Sequence, residues 1–114
     1  MVANSKVTIR GNTIMGNPSS GVLLFDNVQA TVTDNTIASN GVDGIGIGFS
    51  GVTNDMVRAE ISSNLIQNNR NCGVAADNDA GITITGQSNT ITGNRNGQLC
   101  GDTSKFPTGF GGGK

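Results

Sequence analysis

Histidine, tryptophan and tyrosine are absent from this chain of 114 residues, and phenylalanine occurs only four times. Without histidine, the commonest general base and metal ligand at neutral pH is missing. Without tryptophan or tyrosine, a sugar ring or a nucleobase has little to stack on. Charge is scarce too: 13% of residues are charged, and seven Lys and Arg against eight Asp and Glu leave a net −1. A nucleic-acid binder needs a basic stripe to meet the phosphates, so no nucleic-acid partner is expected. No apolar run approaches the ~20 residues that cross a bilayer, so membrane insertion by a helix is not expected either. The opening stretch, Met1 to Lys6, lacks the apolar segment of a secretory signal. The length allows one small domain. These absences argue against an autonomous enzyme; no catalytic residue and no cofactor is assigned.

What is present is Gly, Asn, Ser and Thr, with Ile, Val, Leu and Phe making up 27 of the 114 residues. That share lies above the roughly one-fifth below which a chain cannot bury enough apolar surface to fold. Ile and Val outnumber Leu by 19 to 4. Their stiff χ1 rotamers favour strands over helix, and Gly, Asn or Pro interrupts every stretch before three helical turns accumulate. The composition reads as all-β.

The chain repeats itself. Val7-Thr8-Ile9-Arg10-Gly11-Asn12-Thr13-Ile14-Met15-Gly16-Asn17 returns as Ala30 to Asn40 and again as Ala59 to Asn69. A fourth copy runs Ile82-Thr83-Ile84-Thr85-Gly86 and, after an inserted Gln87-Ser88, Asn89 to Asn94. A looser second strand follows each copy: Gly21 to Leu24, Gly44 to Ile47, Gly73 to Ala76 and Gly97 to Cys100. Within one copy apolar and polar residues alternate, as in a half-buried strand, and the alternation breaks at the first Asn, a residue that tolerates a left-handed bend. One copy cannot bury its own apolar face, whereas four copies stacked ~4.8 Å apart can. Stacking puts Ile9, Val32, Ile61 and Ile84 in one inward column and Ile14, Ile37, Ile66 and Ile91 in another. It also stacks Asn12, Asn35, Asn64 and Asn89, and likewise Asn17, Asn40, Asn69 and Asn94. A carboxamide both donates and accepts, so each set can form a hydrogen-bonded ladder, a structural rather than a catalytic role.

Repeats of the form V-x-I-x-x-N-x-I-x-x-N resemble those of right-handed parallel β-helix proteins, the pectin-lyase-like superfamily and its relatives. The resemblance implies a single-stranded right-handed β-solenoid of about four coils, over residues 1–103, followed by a Gly-rich tail, 104–114, as a candidate cap. It says little about activity, because the superfamily holds polysaccharide lyases, hydrolases, epimerases, tailspikes and plain scaffolds. The hydrolases of that superfamily use clustered Asp with a His and an Arg-Lys pair, which this chain lacks; the lyases use Ca²⁺-binding carboxylates.

The nearest carboxylate candidates here are Asp77 and Asp79, with Asp102 one coil on. Ca²⁺ takes six to eight oxygens, so a polar turn is the preferred reading and no metal is assigned. Arg70 and Arg95 follow Asn69 and Asn94 as a candidate basic column or as solvated turn charges. Ice binding would need an unbroken outward Thr lattice. The expected columns, Thr8-Thr31-Glu60-Thr83, Arg10-Thr33-Ser62-Thr85 and Thr13-Thr36-Leu65-Thr90, are each interrupted, which leaves ice binding remote. Cys72 and Cys100, aligned through Gly73 and Gly97, fall ~10 Å apart in ideal register, beyond the ~7 Å Cα limit of a disulfide. A chain leaving register after the last repeat would bring them together, so a disulfide staple and two small buried apolar residues both remain readings. Cysteine pairing points to an extracellular or cell-surface protein whose leader is absent from this chain.

A β-helix leaves unpaired backbone rows on its first and last coils. Phe106 or Phe110 is placed to cover one end, and Val2 and Ala3 offer little cover at the other. The expectation is a non-catalytic structural or surface module that pairs through its coil edge with a second copy or with upstream β-helix coils. A carbohydrate-binding module, or a piece of a polysaccharide lyase or hydrolase with a polysaccharide partner, is the competing expectation.

Overall fold

A computed structural model describes residues 5–48, 56–79 and 81–112. Twelve strands succeed one another in four coils of three. The first coil holds β1 (Lys6–Arg10), β2 (Thr13–Met15) and β3 (Val22–Leu24); the second holds β4 (Val28–Thr33), β5 (Thr36–Ala38) and β6 (Ile45–Ile47). The third holds β7 (Val57–Ser62), β8 (Leu65–Gln67) and β9 (Cys72–Ala76); the fourth holds β10 (Ile82–Thr85), β11 (Thr90–Thr92) and β12 (Gly97–Gly101). Corresponding strands pair in parallel to make three sheets, β1-β4-β7-β10, β2-β5-β8-β11 and β3-β6-β9-β12. This is a parallel β-helix, and a 3₁₀ turn, Thr103–Lys105, leads out of it.

The lumen is filled with stacked aliphatics. Ile14, Ile37, Ile66 and Ile91 form one column through direct pairing, and Val22, Ile45, Val74 and Leu99 form another. Ile37, Ile45, Ile66 and Val74 have no exposed surface. Such a narrow interior needs no large aromatic, which is why so aromatic-poor a chain folds.

The fourth coil departs from the expected register. Ile82 pairs with Val57 and Ile84 with Ala59, not with Ile61. The inward columns are therefore Ile9-Val32-Ile61 and Val7-Ala30-Ala59-Ile84. Gln87-Ser88 is not an insertion: Ser63 N–H donates to the Gln87 carbonyl, and Gly86 occupies the fourth place in the Ile61 column. Gly86 has φ 128°, and a Cβ there would press into the Ile61 backbone. A glycine is the residue that closes the lumen at that point. The outward columns shift with it, so Thr8-Thr31-Glu60 continues to Thr85, and Lys6-Gln29-Arg58 continues to Thr83.

The bends also differ from expectation. The left-handed residue is not the ladder Asn but the one before it. Before the first ladder these are Gly11 (φ 68°), Asp34 (56°), Ser63 (58°) and Ser88 (63°); before the second, Gly16 (69°), Ser39 (57°), Asn68 (57°) and Gly93 (67°). One left-handed residue reverses the alternation of the strand, so the following Asn turns inward instead of outward.

Cys72 and Cys100 are joined by a disulfide with a Cα–Cα separation of 6.2 Å. The straight-strand estimate of ~10 Å fails because the chain is turning a corner there: all five residues of β9 are buried, with none of the alternation of a flat strand. The alignment shifts by one as well. Gly97 pairs with Cys72 and Leu99 with Val74, so Gln98 stands over Gly73.

Candidate functional site

The two Asn ladders give the solenoid a direction. In the first, Asn35 Nδ2 donates to Asn64 Oδ1 and Asn64 Nδ2 to Asn89 Oδ1, each at 3.0 Å. The same oxygens accept the backbone N–H of Asn35 and Asn64 at 3.0 and 3.1 Å. The second ladder repeats the pattern from Asn17 through Asn40 and Asn69 to Asn94, with amide contacts of 3.0, 3.0 and 2.8 Å. Asn12 enters the first ladder through its backbone N–H, which donates to Asn35 Oδ1 at 2.9 Å. The second amide hydrogen of each buried Asn donates to a lumen-side carbonyl of the previous coil, as Asn35 does to Ile9 and Asn64 to Val32. Along the Asn-to-Asn links the donor thus points to the C-terminal end and the side-chain acceptor to the N-terminal end.

The two ends are finished differently. At the C-terminal end the tail supplies acceptors in place of a fifth coil. Gly109 and Phe110 carbonyls accept the N–H groups of Ser88 and Asn89, each at 3.1 Å, and Phe110 O also accepts Asn89 Nδ2 at 2.9 Å. Gln98 Oε1 does the same for Asn94, at 3.3 Å from its N–H and 2.9 Å from Nδ2. Phe106 and Phe110 are 2% and 0% exposed, with ring centroids 5.1 Å apart, in the core over the last coil. At the N-terminal end, Val7, Ile9 and Ile14 are only partly buried although they belong to the same columns as Ala30, Val32 and Ile37. Asn12 and Asn17 are exposed there, and β1, β2 and β3 are the edge strands of their sheets. Val2 and Ala3, expected as cover at that end, lie outside the described residues, as do Gly113 and Lys114.

The other candidates are placed as follows. Asp77 Oδ1 accepts Asn78 N–H at 2.9 Å, and Asp79 Oδ1 accepts Gly81 N–H at 3.0 Å. Both carboxylates thus serve the turn they sit in. Asp102 does lie one coil beyond Asp77, since its N–H donates to the Ala76 carbonyl, but its Oδ1 caps Ser104. Among the described residues no three His, Cys, Asp or Glu side chains converge on a common point. Arg70 and Arg95 do share a column, each donating its N–H to the Asn one coil back, Asn40 and Asn69 respectively, and both are exposed.

A third polar column escaped the sequence reading. Asp43 N–H donates to Ser20 Oγ at 3.2 Å, Asn71 Nδ2 to Asp43 Oδ1 at 2.9 Å and Asn96 Nδ2 to Asn71 Oδ1 at 2.8 Å. Its spacings of 23, 28 and 25 residues run almost parallel to the 23, 29 and 25 of the Asn ladders. That period was the available signal; the mixture of Ser, Asp and Asn hid it.

A family model described as the right-handed beta helix region matches residues 1–108. The chain belongs to the right-handed β-helix family, and the three-sheet, four-coil architecture is a parallel β-helix. No curated protein matches the chain, and no solved structure does.

Proposed function

We propose that this protein is a non-catalytic structural β-solenoid module, a closing segment whose open N-terminal coil accepts a further β-helix coil. The carrying observation is the inequality of the two ends: covered aromatics and substituted acceptors at one, half-exposed Val7, Ile9 and Ile14 on edge strands at the other. Ladder polarity defines the partner. The open end offers Asn12 and Asn17 oxygens, so it fits a coil that presents amide donors, the C-terminal end of another β-helix stretch. In a second copy of this chain that end is already occupied by the tail. The competing carbohydrate reading has less support, since Phe106 and Phe110 are buried and unavailable as a sugar platform. A disulfide supports an oxidising, extracellular setting.

The test uses a full-length variant with its cap opened and its own N-terminal edge blocked, Phe106→Ser and Phe110→Ser together with Thr8→Pro. Mixed with the intact protein, it should form a defined complex by light scattering. Thr8→Pro in the intact protein should abolish that complex without unfolding it. Gly11 N–H and the Ser5 carbonyl are bonded to β4, so the alternating groups of Lys6, Thr8 and Arg10 face the open edge, where Pro removes a donor without breaking the internal ladder. Absence of any complex, or a positive glycan array or Ca²⁺-dependent lyase assay, would count against the proposal.

A further inference from the structure

Asp43 carries an oxygen that the ladder does not use. Its Oδ1 accepts Asn71 Nδ2 at 2.9 Å and Cys72 N–H at 3.1 Å. Its Oδ2 has no hydrogen-bond partner among the described residues, although the residue is 6% exposed. That oxygen faces outward over the third sheet, 3.6 Å from where a Cβ on Gly46 would stand, with Ser20 Oγ 3.8 Å from the same point. The space in front of it is a groove of about 470 Å³ with apolar walls, Leu23, Val42, Ala75 and the half-buried Cys100 of the disulfide. The groove exists because the outward column Leu23-Gly46-Ala75-Cys100 has two of the smallest residues at its centre.

No Lys or Arg lines this groove. A buried carboxylate with one satisfied and one bare oxygen is costly unless a donor meets it, and a cationic donor meets it best. A lone carboxylate is too few oxygens for Ca²⁺, and a neutral hydroxyl would leave the charge uncompensated. We infer that the groove is a binding site for a primary alkylammonium group: the head reaches Asp43 Oδ2 and Ser20 Oγ, and the aliphatic stem lies along Leu23, Ala75 and Cys100. A free amine and the side chain of a lysine share this chemistry.

The experiment is an NMR titration of the intact protein with n-butylammonium, with n-butanol as the uncharged isostere. The amide of Cys72 and the side-chain amide of Asn71 should shift saturably with the ammonium, and butanol should bind about tenfold more weakly or worse. Asp43→Asn keeps the acceptor for Asn71 and Cys72 but turns a donor toward the groove; it should weaken ammonium binding by about tenfold or more. Gly46→Ala leaves the carboxylate and places a methyl in front of it, 2.8 Å from the movable Leu23 Cδ2, and should weaken binding similarly. Titration with Nα-acetyl-lysine methylamide assigns the source: binding equal to that of butylammonium supports a lysine side chain, and weaker binding supports a small free amine. Equal binding of butanol and butylammonium overturns the inference even if neither variant folds, and so does an unchanged affinity in folded Asp43→Asn.

Discussion

Asn64 lies in the middle of a ladder, and its amide does five things at once. Its oxygen accepts from Asn35 N–H and Nδ2, and its nitrogen donates to Val32 O, Ser62 O and Asn89 Oδ1. Asn12 has the same place in the repeat, but among the described residues its side chain makes a single hydrogen bond, to Arg10 O, in the open. Because leaving a buried polar group unpaired costs about 1–3 kcal/mol, Asn64→Ala should destabilise by about 3 kcal/mol or more and Asn12→Ala by less than about 1 kcal/mol. Denaturant midpoints of the two variants check the gradient; equal losses would mean that the ladder is not what holds the bends. The residue before each Asn offers the opposite lever. Ser63 sits at φ 58°, where a side chain costs roughly 1–2 kcal/mol and glycine nothing, so Ser63→Gly should be neutral or stabilising by up to about 1 kcal/mol despite glycine's extra chain entropy. The Asn positions were legible in the sequence because their residue type repeats. The left-handed positions were not, because Gly, Asp, Ser and Asn all serve there and share no single letter. Asp43 was hidden for the same reason: its column runs Ser20, Asp43, Asn71, Asn96 and keeps one residue type only over the last two coils.

At the scale of a strand, pairing follows the hydrophobic pattern together with the spacing of the ladder residues. Coils one to three could be aligned by eye because Ile9, Val32 and Ile61 each need an inward neighbour. In the fourth coil, Ile82 and Ile84 read as inward residues in either of two registers, and the 25-residue offset from Asn64 to Asn89 selects the one that sets Ile84 beside Ala59 and Gly86 beside Ile61. A slip of two residues keeps every side chain on its face, so the alternating pattern alone does not choose between those registers. The disulfide illustrates the same limit, since a strand that turns a corner shortens a separation computed along a straight line. Cys72 and Cys100 close a loop of 28 residues, and on a chain-entropy basis such a loop is worth about 3–4 kcal/mol. Cys72→Ala with Cys100→Ala should lower stability by that order, and reduction of the wild type should match the double variant in a thermal melt. A negligible loss would mean that the third sheet already holds the fourth coil in place. By contrast, the ion pair found among the described residues, Arg10 Nε to Asp34 Oδ2 at 3.7 Å, joins side chains that are 73% and 56% exposed, and Arg10→Ala should change stability by less than about 0.5 kcal/mol.

On the proposed reading the whole molecule is polar, a β-helix with one closed and one open end that grows in only one direction. Opening the cap makes the two ends complementary. Asn89, freed of Phe110 O, would present its donor to the Asn12 oxygen of the next molecule, with β1, β2 and β3 stacking on β10, β11 and β12 at the ~4.8 Å strand spacing. Such a contact is heterologous and does not close on itself, so its product is an open filament. Full-length Phe106→Ser with Phe110→Ser should therefore polymerise on its own, with a meridional reflection near 4.8 Å in fibre diffraction. The intact protein, added at a small mole fraction, should shorten the filaments, because it accepts a growing end through its open coil and then presents its own closed one. Electron micrographs of filament length against the fraction of intact chain measure this directly. Lengths that do not respond, or that respond equally to intact protein carrying Thr8→Pro, would show that growth does not pass through the open N-terminal coil.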